Sequence, residues 1–237
     1  MKYGMYLLLF LVLACNTKKQ EAQPKAQLPP FWEDIQKFKK QDSISFPPQN
    51  AILFIGSSSF TRWTDVQNYF PGYTIVNRGF GGSTLLDQIH YVNDIVFPYL
   101  PKQIVIYCGE NDLASSDTVT ATMIFERFKK LYQLIREKIQ TPLVYISMKP
   151  SPSRRNLFPK MREANMLIEE FIIKQDSNAM LRSNLDPSPA LFVDIYSRML
   201  NKDGQPMSEI FLADSLHMNA KGYAIWQKAI EPYLLRN

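Results

Sequence analysis

Three serines in a row follow an apolar segment in "AILFIGSSSF" (51–60), where a serine hydroxyl could attack a substrate carbonyl. A serine nucleophile needs a base that accepts its proton, and the sequence holds two histidines, His90 and His217. His217 comes three residues after Asp214 in "DSLH", a spacing at which the carboxylate can hydrogen-bond one ring nitrogen and favour the imidazolium. His90 lies in a helical pattern, where a structural or surface histidine is the default. Taken singly, the serines fit an ordinary polar turn, and Asp214 fits a turn cap.

Acyl transfer through a serine also needs donors that stabilise the negative oxygen of the tetrahedral intermediate. Gly82, in "NRGFGGST", allows close approach to the backbone, so its N–H can reach such an oxygen. Asn111, in "GEND", carries an amide that donates without ionisation. A flexible turn and a loop cap are the alternatives for these two residues. The features nevertheless follow successive apolar segments in a fixed order, which favours a common site.

Five apolar, β-rich segments lie between turn signals: AILFIG, TIVNRG, QIVIYCG, PLVYISM and ALFVDI. Their nearly continuous hydrophobicity is typical of strands that are covered on both faces, as in a parallel sheet. Between them, apolar residues recur at helical spacing at Ile124, Phe128, Leu131, Ile135 and Ile139, and at Met161, Ala164, Ile168 and Phe171. This alternation predicts an α/β fold, a three-layer α/β/α sandwich with a five-stranded parallel sheet. The polar loops should then meet beyond the carboxyl ends of the strands.

Together, these motifs resemble the SGNH hydrolases, also called GDSL esterases. The resemblance runs through "ILFIGSSSFTRW", "NRGFGGST", "YCGEND" and "DSLHMNAKGY", which span most of the chain. It implies the flavodoxin-like fold of that family and a serine esterase that needs neither a metal nor an organic cofactor. Matching the family motifs assigns catalytic roles to Ser58, Asp214 and His217, and an oxyanion hole to the Ser58 N–H, the Gly82 N–H and the Asn111 amide. Ser57 replaces the family's usual aspartate, which is not a triad member, so the change concerns loop geometry.

Four residues near these motifs are candidate substrate contacts: Arg62, Trp63, Ser153 and Arg154. Arg62 and Trp63 follow the serines closely and could pair with or stack on a sugar, and packing at the start of a helix is the alternative. The segment "MKPSPSRR" (148–155) should line the rim with rigid turns and positive charge. A solvated loop is the alternative for that segment.

The N-terminus has the layout of an exported lipoprotein. Lys2 precedes an apolar run (6–13) that is too short for a membrane anchor, which needs about 20 residues. The sequence "VLAC" resembles a bacterial lipobox, which implies cleavage before Cys15 and lipid on its thiol. An ordinary signal peptide with a chance cysteine is the alternative. We expect a signal peptide (1–14), a lipidated Cys15 with a flexible tether (15–30), and a hydrolase domain (31–237) held at a membrane of the cell envelope.

Charge and cysteine content limit the partners of the protein. The chain carries +5, and its first 30 residues hold four lysines and one glutamate, so the body keeps a charge of +2. A nearly neutral body without a Lys/Arg stripe argues against nucleic acid as a partner. The second cysteine, Cys108, has no disulfide partner if Cys15 is lipidated, and we predict that it is buried in a strand.

These features predict an esterase that removes small acyl groups, acetyl in particular, from carbohydrates in the cell envelope or outside it. A lysophospholipase or short-chain lipase of the same family is one alternative. A non-catalytic glycan-binding lipoprotein is another, favoured by the departure at Ser57. A flavodoxin-like nucleotide binder is disfavoured, because the first loop lacks repeated glycines and no Gly-Lys-Ser/Thr phosphate loop occurs. The sequence does not predict the oligomeric state.

Overall fold

A parallel β-sheet of five strands forms the centre of the molecule. The computed structural model describes residues 28–181 and 189–236. The strands are β1 (Ile52–Gly56), β2 (Ile75–Gly79), β3 (Gln103–Tyr107), β4 (Leu143–Ile146) and β5 (Ala190–Val193). They are ordered β2-β1-β3-β4-β5, and every neighbouring pair is parallel. Each strand lies within one of the five apolar segments, so the predicted sheet is confirmed.

Helices cover both faces of this sheet. In the described residues they are α1 (Trp32–Ile44), α2 (Ser58–Thr61), α3 (Val66–Tyr69), α4 (Leu85–Ile95), α5 (Glu110–Ser115), α6 (Ala121–Arg136), α7 (Phe158–Leu181) and α8 (Ala220–Ile230). Helices α1, α4, α6 and α7 pack on one face, and α2, α3 and α8 pack on the other. The three-layer α/β/α architecture is therefore confirmed.

Alternate residues of a strand enter two separate apolar cores. In β1, Leu53 and Ile55 face the core beneath α4 and α6, whereas Ile52 and Phe54 face the core beneath α8. Both faces of the strand are covered, which is why the segment is apolar throughout. The predicted helix faces are buried at Ile124, Phe128, Leu131 and Ile135 of α6 and at Met161, Ala164 and Ile168 of α7, with Ile139 and Phe171 half-buried.

The chain around α1 is fastened to the edge of the sheet. Arg78 of β2 forms an ion pair with Asp42 of α1, and the Tyr99 hydroxyl bonds to both. The Tyr91 hydroxyl of α4 donates at 2.6 Å to the carbonyl of Pro30, which lies just before α1. The last residue of the predicted tether thus contacts the folded body. Residues 1–27, with the predicted signal peptide and Cys15, lie outside the described residues.

The turn after β1 aims the serines at the carboxyl edge of the sheet. Gly56 has φ +144°, and a Cβ at this position would lie 1.9 Å from the Tyr107 carbonyl oxygen, so only glycine fits. The next residue, Ser57, donates its N–H to that same oxygen at 3.1 Å. Ser58 then begins α2. Cys108, directly after β3, is buried as predicted, and burial raises the pKa of its thiol.

Candidate active site

The side chains of Ser58 and His217 meet although 159 positions separate them in the chain. Ser58 Oγ lies 3.1 Å from His217 Nε2, within hydrogen-bonding distance. Ser58 is the first residue of α2 and is half-buried. His217 lies in the loop that precedes α8. The start of α2 and the loop before α8 therefore bring together a hydroxyl and a base that could accept its proton.

A carboxylate holds the imidazole from the opposite side. Asp214 Oδ2 lies 2.7 Å from His217 Nδ1, and Asp214 Oδ1 accepts the backbone N–H groups of Leu216 at 3.0 Å and His217 at 2.9 Å. These hydrogen bonds, the one to the His217 ring above all, hold the pKa of Asp214 well below its usual range. An ionised Asp214 accepts the Nδ1 proton, which leaves Nε2 as the acceptor for the serine hydroxyl.

Local hydrogen bonds shape the loop that carries Asp214 and His217. Leu212 donates its N–H to the His217 carbonyl at 2.7 Å, which closes the loop on itself. Asn219 then caps α8: its side-chain oxygen accepts the N–H of Lys221 at 2.9 Å. The Asn219 amide also donates to the Phe211 carbonyl at 3.2 Å. These bonds of Asn219 fix the loop to the helix behind it.

The three predicted oxyanion donors differ in their hydrogen bonding. Asn111 Nδ2 donates one proton to the Ser83 carbonyl at 3.1 Å, which orients the amide and leaves its second proton for a ligand. Gly82 has φ +87° and is exposed. Among the described residues, the backbone N–H groups of Ser58 and Gly82 have no hydrogen-bond acceptor. These groups are available to stabilise an oxyanion.

A cavity of about 560 Å³ opens over these groups. Pockets of this size are typical of sites for small molecules. Among the described residues, its lining consists of Ser58, Thr61, Arg62, Gly81, Gly82, Asn111, Arg154, Leu216 and His217. A ligand in this cavity would lie against Ser58 and His217, and also against Gly82 and Asn111, which carry two of the predicted oxyanion donors.

Two of the four predicted substrate contacts, Arg62 and Arg154, line the cavity. The prediction for Trp63 is wrong, because its side chain is fully buried and stacks on Tyr223 with ring centroids 4.7 Å apart. Ser153 is exposed but is not among the lining residues. Its backbone N–H instead donates to the Ser215 carbonyl at 3.0 Å, which supports the histidine loop.

A buried polar network beneath the cavity was not predicted from the sequence. Glu110 Oε2 accepts hydrogen bonds from Lys149 Nζ at 2.8 Å and from the Tyr107 hydroxyl at 2.6 Å. Glu110 Oε1 accepts the Ser151 hydroxyl at 3.0 Å, and that hydroxyl also lies 3.4 Å from the Leu216 carbonyl. Lys149 was expected at the rim but is only 2% exposed. The network thus joins α5, which carries Asn111, to the loop that carries His217.

The charge state of this network follows from its contacts. Burial alone would raise the pKa of Glu110, but the nearby Lys149 ammonium and the hydroxyl donors of Tyr107 and Ser151 outweigh it, so the pKa is lowered. Glu110 is therefore an anion paired with a buried lysine. The motifs "GEND" and "MKPSPSRR" contain both residues, but no local pattern pairs them.

The part of the chain that the structure describes contains neither a metal-ligand cluster nor a membrane-spanning helix. No group of three or more His, Cys, Asp and Glu side chains in this part of the chain could hold a metal ion. No helix in it has the length and hydrophobicity needed to cross a bilayer. The other histidine, His90, is exposed on α4 and packs edge-on against Tyr91, away from the cavity lining.

Comparison with known families gives one match that spans most of the chain. The model of the GDSL-like lipase/acylhydrolase family matches residues 42–225, a span that holds every residue of the cavity lining. A search among curated proteins found no match.

Solved structures share the fold. A GDSL-like lipase from Bacteroides thetaiotaomicron is 18% identical, with a TM-score of 0.64 over 84% of this chain and 96% of that chain. A member of the lipolytic protein G-D-S-L family from Veillonella parvula is 18% identical, with a TM-score of 0.57 over 77% and 96%. An acetylxylan esterase from Geobacillus stearothermophilus is 15% identical, with a TM-score of 0.58 over 78% and 94%.

Proposed function

Because the chain belongs to the GDSL-like lipase/acylhydrolase family and is a carboxylic ester hydrolase, we propose that it removes small acyl groups, acetyl above all, from carbohydrates. Ser58 is the nucleophile in this proposal, His217 is the general base, and Asp214 orients the imidazole. The distances of 3.1 Å and 2.7 Å along this relay support these roles.

The reaction proceeds through an ester of Ser58. As Ser58 Oγ bonds to the carbonyl carbon, its proton passes to His217 Nε2, and the Ser58 N–H, the Gly82 N–H and the Asn111 amide stabilise the oxyanion. The bond to the leaving alcohol then breaks, and His217 returns the proton to the alcohol oxygen. Water next loses a proton to His217 as it attacks the acyl group, and Ser58 departs with that proton when the acid is released.

The chemistry of the cavity lining carries the proposal of a small acyl group. Of the nine described lining residues, only Leu216 has a purely hydrocarbon side chain. Each methylene of an acyl chain gains about 0.8 kcal/mol when it is buried against apolar groups. The rest of its carbon surface comes from the backbone and from the stems of polar side chains, and the whole is enough to cover about two or three methylenes rather than a long chain. Arginine, threonine and asparagine side chains instead suit a hydroxylated alcohol.

The name of one structural neighbour agrees with this substrate class, because that protein is an acetylxylan esterase. Another neighbour is a GDSL-like lipase, which favours a lipid ester as the second candidate substrate. At 18% and 15% identity, each of these likenesses shows the fold alone. The two candidates differ in the acyl chain length that the enzyme should prefer.

A series of p-nitrophenyl esters separates these candidates. We expect kcat/KM to stop rising after about two or three added methylenes, because the lining has no carbon surface to cover the rest of an octanoyl chain. Acetate release from acetylated xylooligosaccharides should likewise exceed hydrolysis of lysophosphatidylcholine. Ser58→Ala serves as the control for contaminating esterases. A rise of about fourfold per methylene that continues to octanoate, the value for full burial, would instead establish the lipase.

We also propose that the enzyme is exported and held at a cell-envelope membrane through lipid on Cys15. This proposal depends on the "VLAC" motif and on the polar segment that follows it. It would place the cavity near envelope or extracellular glycans. Cys15 lies outside the described residues.

A further inference from the structure

Two arginines on the cavity wall lack a carboxylate partner within the described residues. Arg62 and Arg154 both line the cavity beside Ser58 and His217. In this part of the chain, neither guanidinium forms an ion pair. Arg127, by contrast, binds a buried carboxylate at 2.7 Å.

The arginines are carried by the same segments that carry the reacting groups. Arg62 follows α2 by one residue, and its backbone N–H donates to the Ser58 carbonyl at 2.9 Å. Arg154 lies in the 3₁₀ segment Pro152–Leu157, which is tied to the histidine loop by the 3.0 Å bond from Ser153 N–H to the Ser215 carbonyl. Their backbone attachment therefore places both arginines beside the segments that carry Ser58 and His217.

The carboxylate of the site does not neutralise these charges. Among the described residues, Asp214 is the only carboxylate that bonds to the His217 ring. Its oxygens are engaged by that ring and by two backbone N–H groups. The cavity wall thus presents two positive groups to a ligand. Guanidinium groups bind carboxylate and phosphate groups through paired hydrogen bonds, and they are the side chains best suited to that task.

We propose that the preferred substrate carries an anionic group on its alcohol portion, a carboxylate or a phosphate, and that Arg154 and Arg62 bind it. An acetylated acidic sugar has this chemistry. We place the anionic group on the alcohol portion because His217 protonates the leaving alcohol and Arg154 is tied to the loop of His217. The inference rests on the proposed function, because it specifies which acylated carbohydrates the site selects.

Three monoacetylated sugars test this inference: a methyl glucuronoside, its neutral uronamide and a methyl glucoside 6-phosphate. For the wild type we expect kcat/KM to be at least tenfold higher on one or both anionic sugars than on the uronamide, and the anion with the higher value identifies the ligand. Added salt should lower that preference, because ions screen charge attraction over about 8–10 Å at 0.10–0.15 M.

Charge-removing variants locate the effect. Arg154→Gln and Arg62→Gln should each reduce the ratio of kcat/KM, anionic over neutral, about tenfold, the size expected for one hydrogen bond to a charged group. Arg155→Gln is the matched control, because Arg155 is exposed, lies outside the cavity lining and bonds to Gln205. That control should keep the wild-type ratio.

The outcomes separate this inference from the proposed function. Equal rates on the three sugars, or an unchanged ratio in both arginine variants, would overturn the inference while leaving a carbohydrate esterase. Release of acetate from none of the sugars, with lysophosphatidylcholine still hydrolysed, would overturn the proposed function and the inference with it.

Discussion

Ser58→Ala is expected to lower kcat on p-nitrophenyl acetate by about 10⁴- to 10⁶-fold, because removal of a serine nucleophile leaves only binding and oxyanion stabilisation. The hydroxyl that lies 3.1 Å from His217 Nε2 is lost, and no acyl-enzyme can form. The substitution removes one oxygen atom at the start of α2, so the fold should survive. Thermal denaturation of the variant checks that point, and initial rates of p-nitrophenolate release measure the loss.

Ser57→Ala is the matched control for this variant. Ser57 is the neighbouring serine, and the hydrogen bond it gives to Tyr107 comes from its backbone N–H, which alanine retains. Its kcat should stay within about threefold of the wild type, since the loss of one hydroxyl outside the catalytic relay creates no large cavity and leaves no charge unpaired. A Ser58→Ala enzyme with more than about 1% of wild-type kcat, or a Ser57→Ala enzyme as inactive as Ser58→Ala, would refute the assignment of the nucleophile.

Glu110→Gln is expected to reduce the free energy of unfolding by about 3–5 kcal/mol at pH 7, the usual effect of removing one partner from a buried ion pair. Lys149 would remain buried without its anion, because both side chains are almost inaccessible to solvent. The glutamine amide replaces the carboxylate with little change of volume. Urea denaturation measures the loss.

The double variant Glu110→Gln/Lys149→Met isolates the charge effect. It should recover most of the stability, because neither buried charge is left unpaired. The lowered pKa of Glu110 also predicts a pH dependence: its ionised form stabilises the fold fully above the unfolded pKa of about 4.3, and this contribution is lost as the pH falls below that value. The difference between wild type and Glu110→Gln should therefore shrink in acid. A double variant no more stable than Glu110→Gln, with a pH-independent difference, would contradict a charge-based role.

The sheet could be predicted from the sequence because a parallel sheet covered on both faces requires continuous apolar segments. The segment QIVIYCG shows this directly, since it contains all of β3 and each residue of that strand is buried. The order of the strands could not be predicted in the same way. It depends on how helices cross the sheet, and no single segment encodes the arrangement β2-β1-β3-β4-β5.

The local parts of the site were also predictable. The three-residue spacing of Asp214 and His217 anticipated their hydrogen bond, which forms within one short loop. Ser58 and His217 are 159 positions apart in the chain, so the prediction of their contact needed the family resemblance as well as the spacing of each motif. Local pattern alone leaves each motif open to its ordinary structural alternative.

Side-chain exposure could not be predicted in the loops, as Trp63 and Lys149 show. Trp63 follows a polar turn, yet α8 covers it with Tyr223 and Trp226. Lys149 lies in a polar segment, yet Glu110, 39 positions away, neutralises it in the interior. Burial in both cases depends on a partner that is distant in the chain, and no local pattern identifies that partner.

Covalent trapping of the nucleophile tests the central claim most directly. A p-nitrophenyl alkylphosphonate should transfer one phosphonyl group to Ser58 Oγ with release of p-nitrophenolate, and fragmentation of the 51–62 peptide by mass spectrometry distinguishes the three serines. We predict a single label on Ser58, none in Ser58→Ala and much slower labelling in His217→Gln. A label on Ser57, Ser59 or any other residue, or equal labelling of Ser58→Ala, would contradict the account.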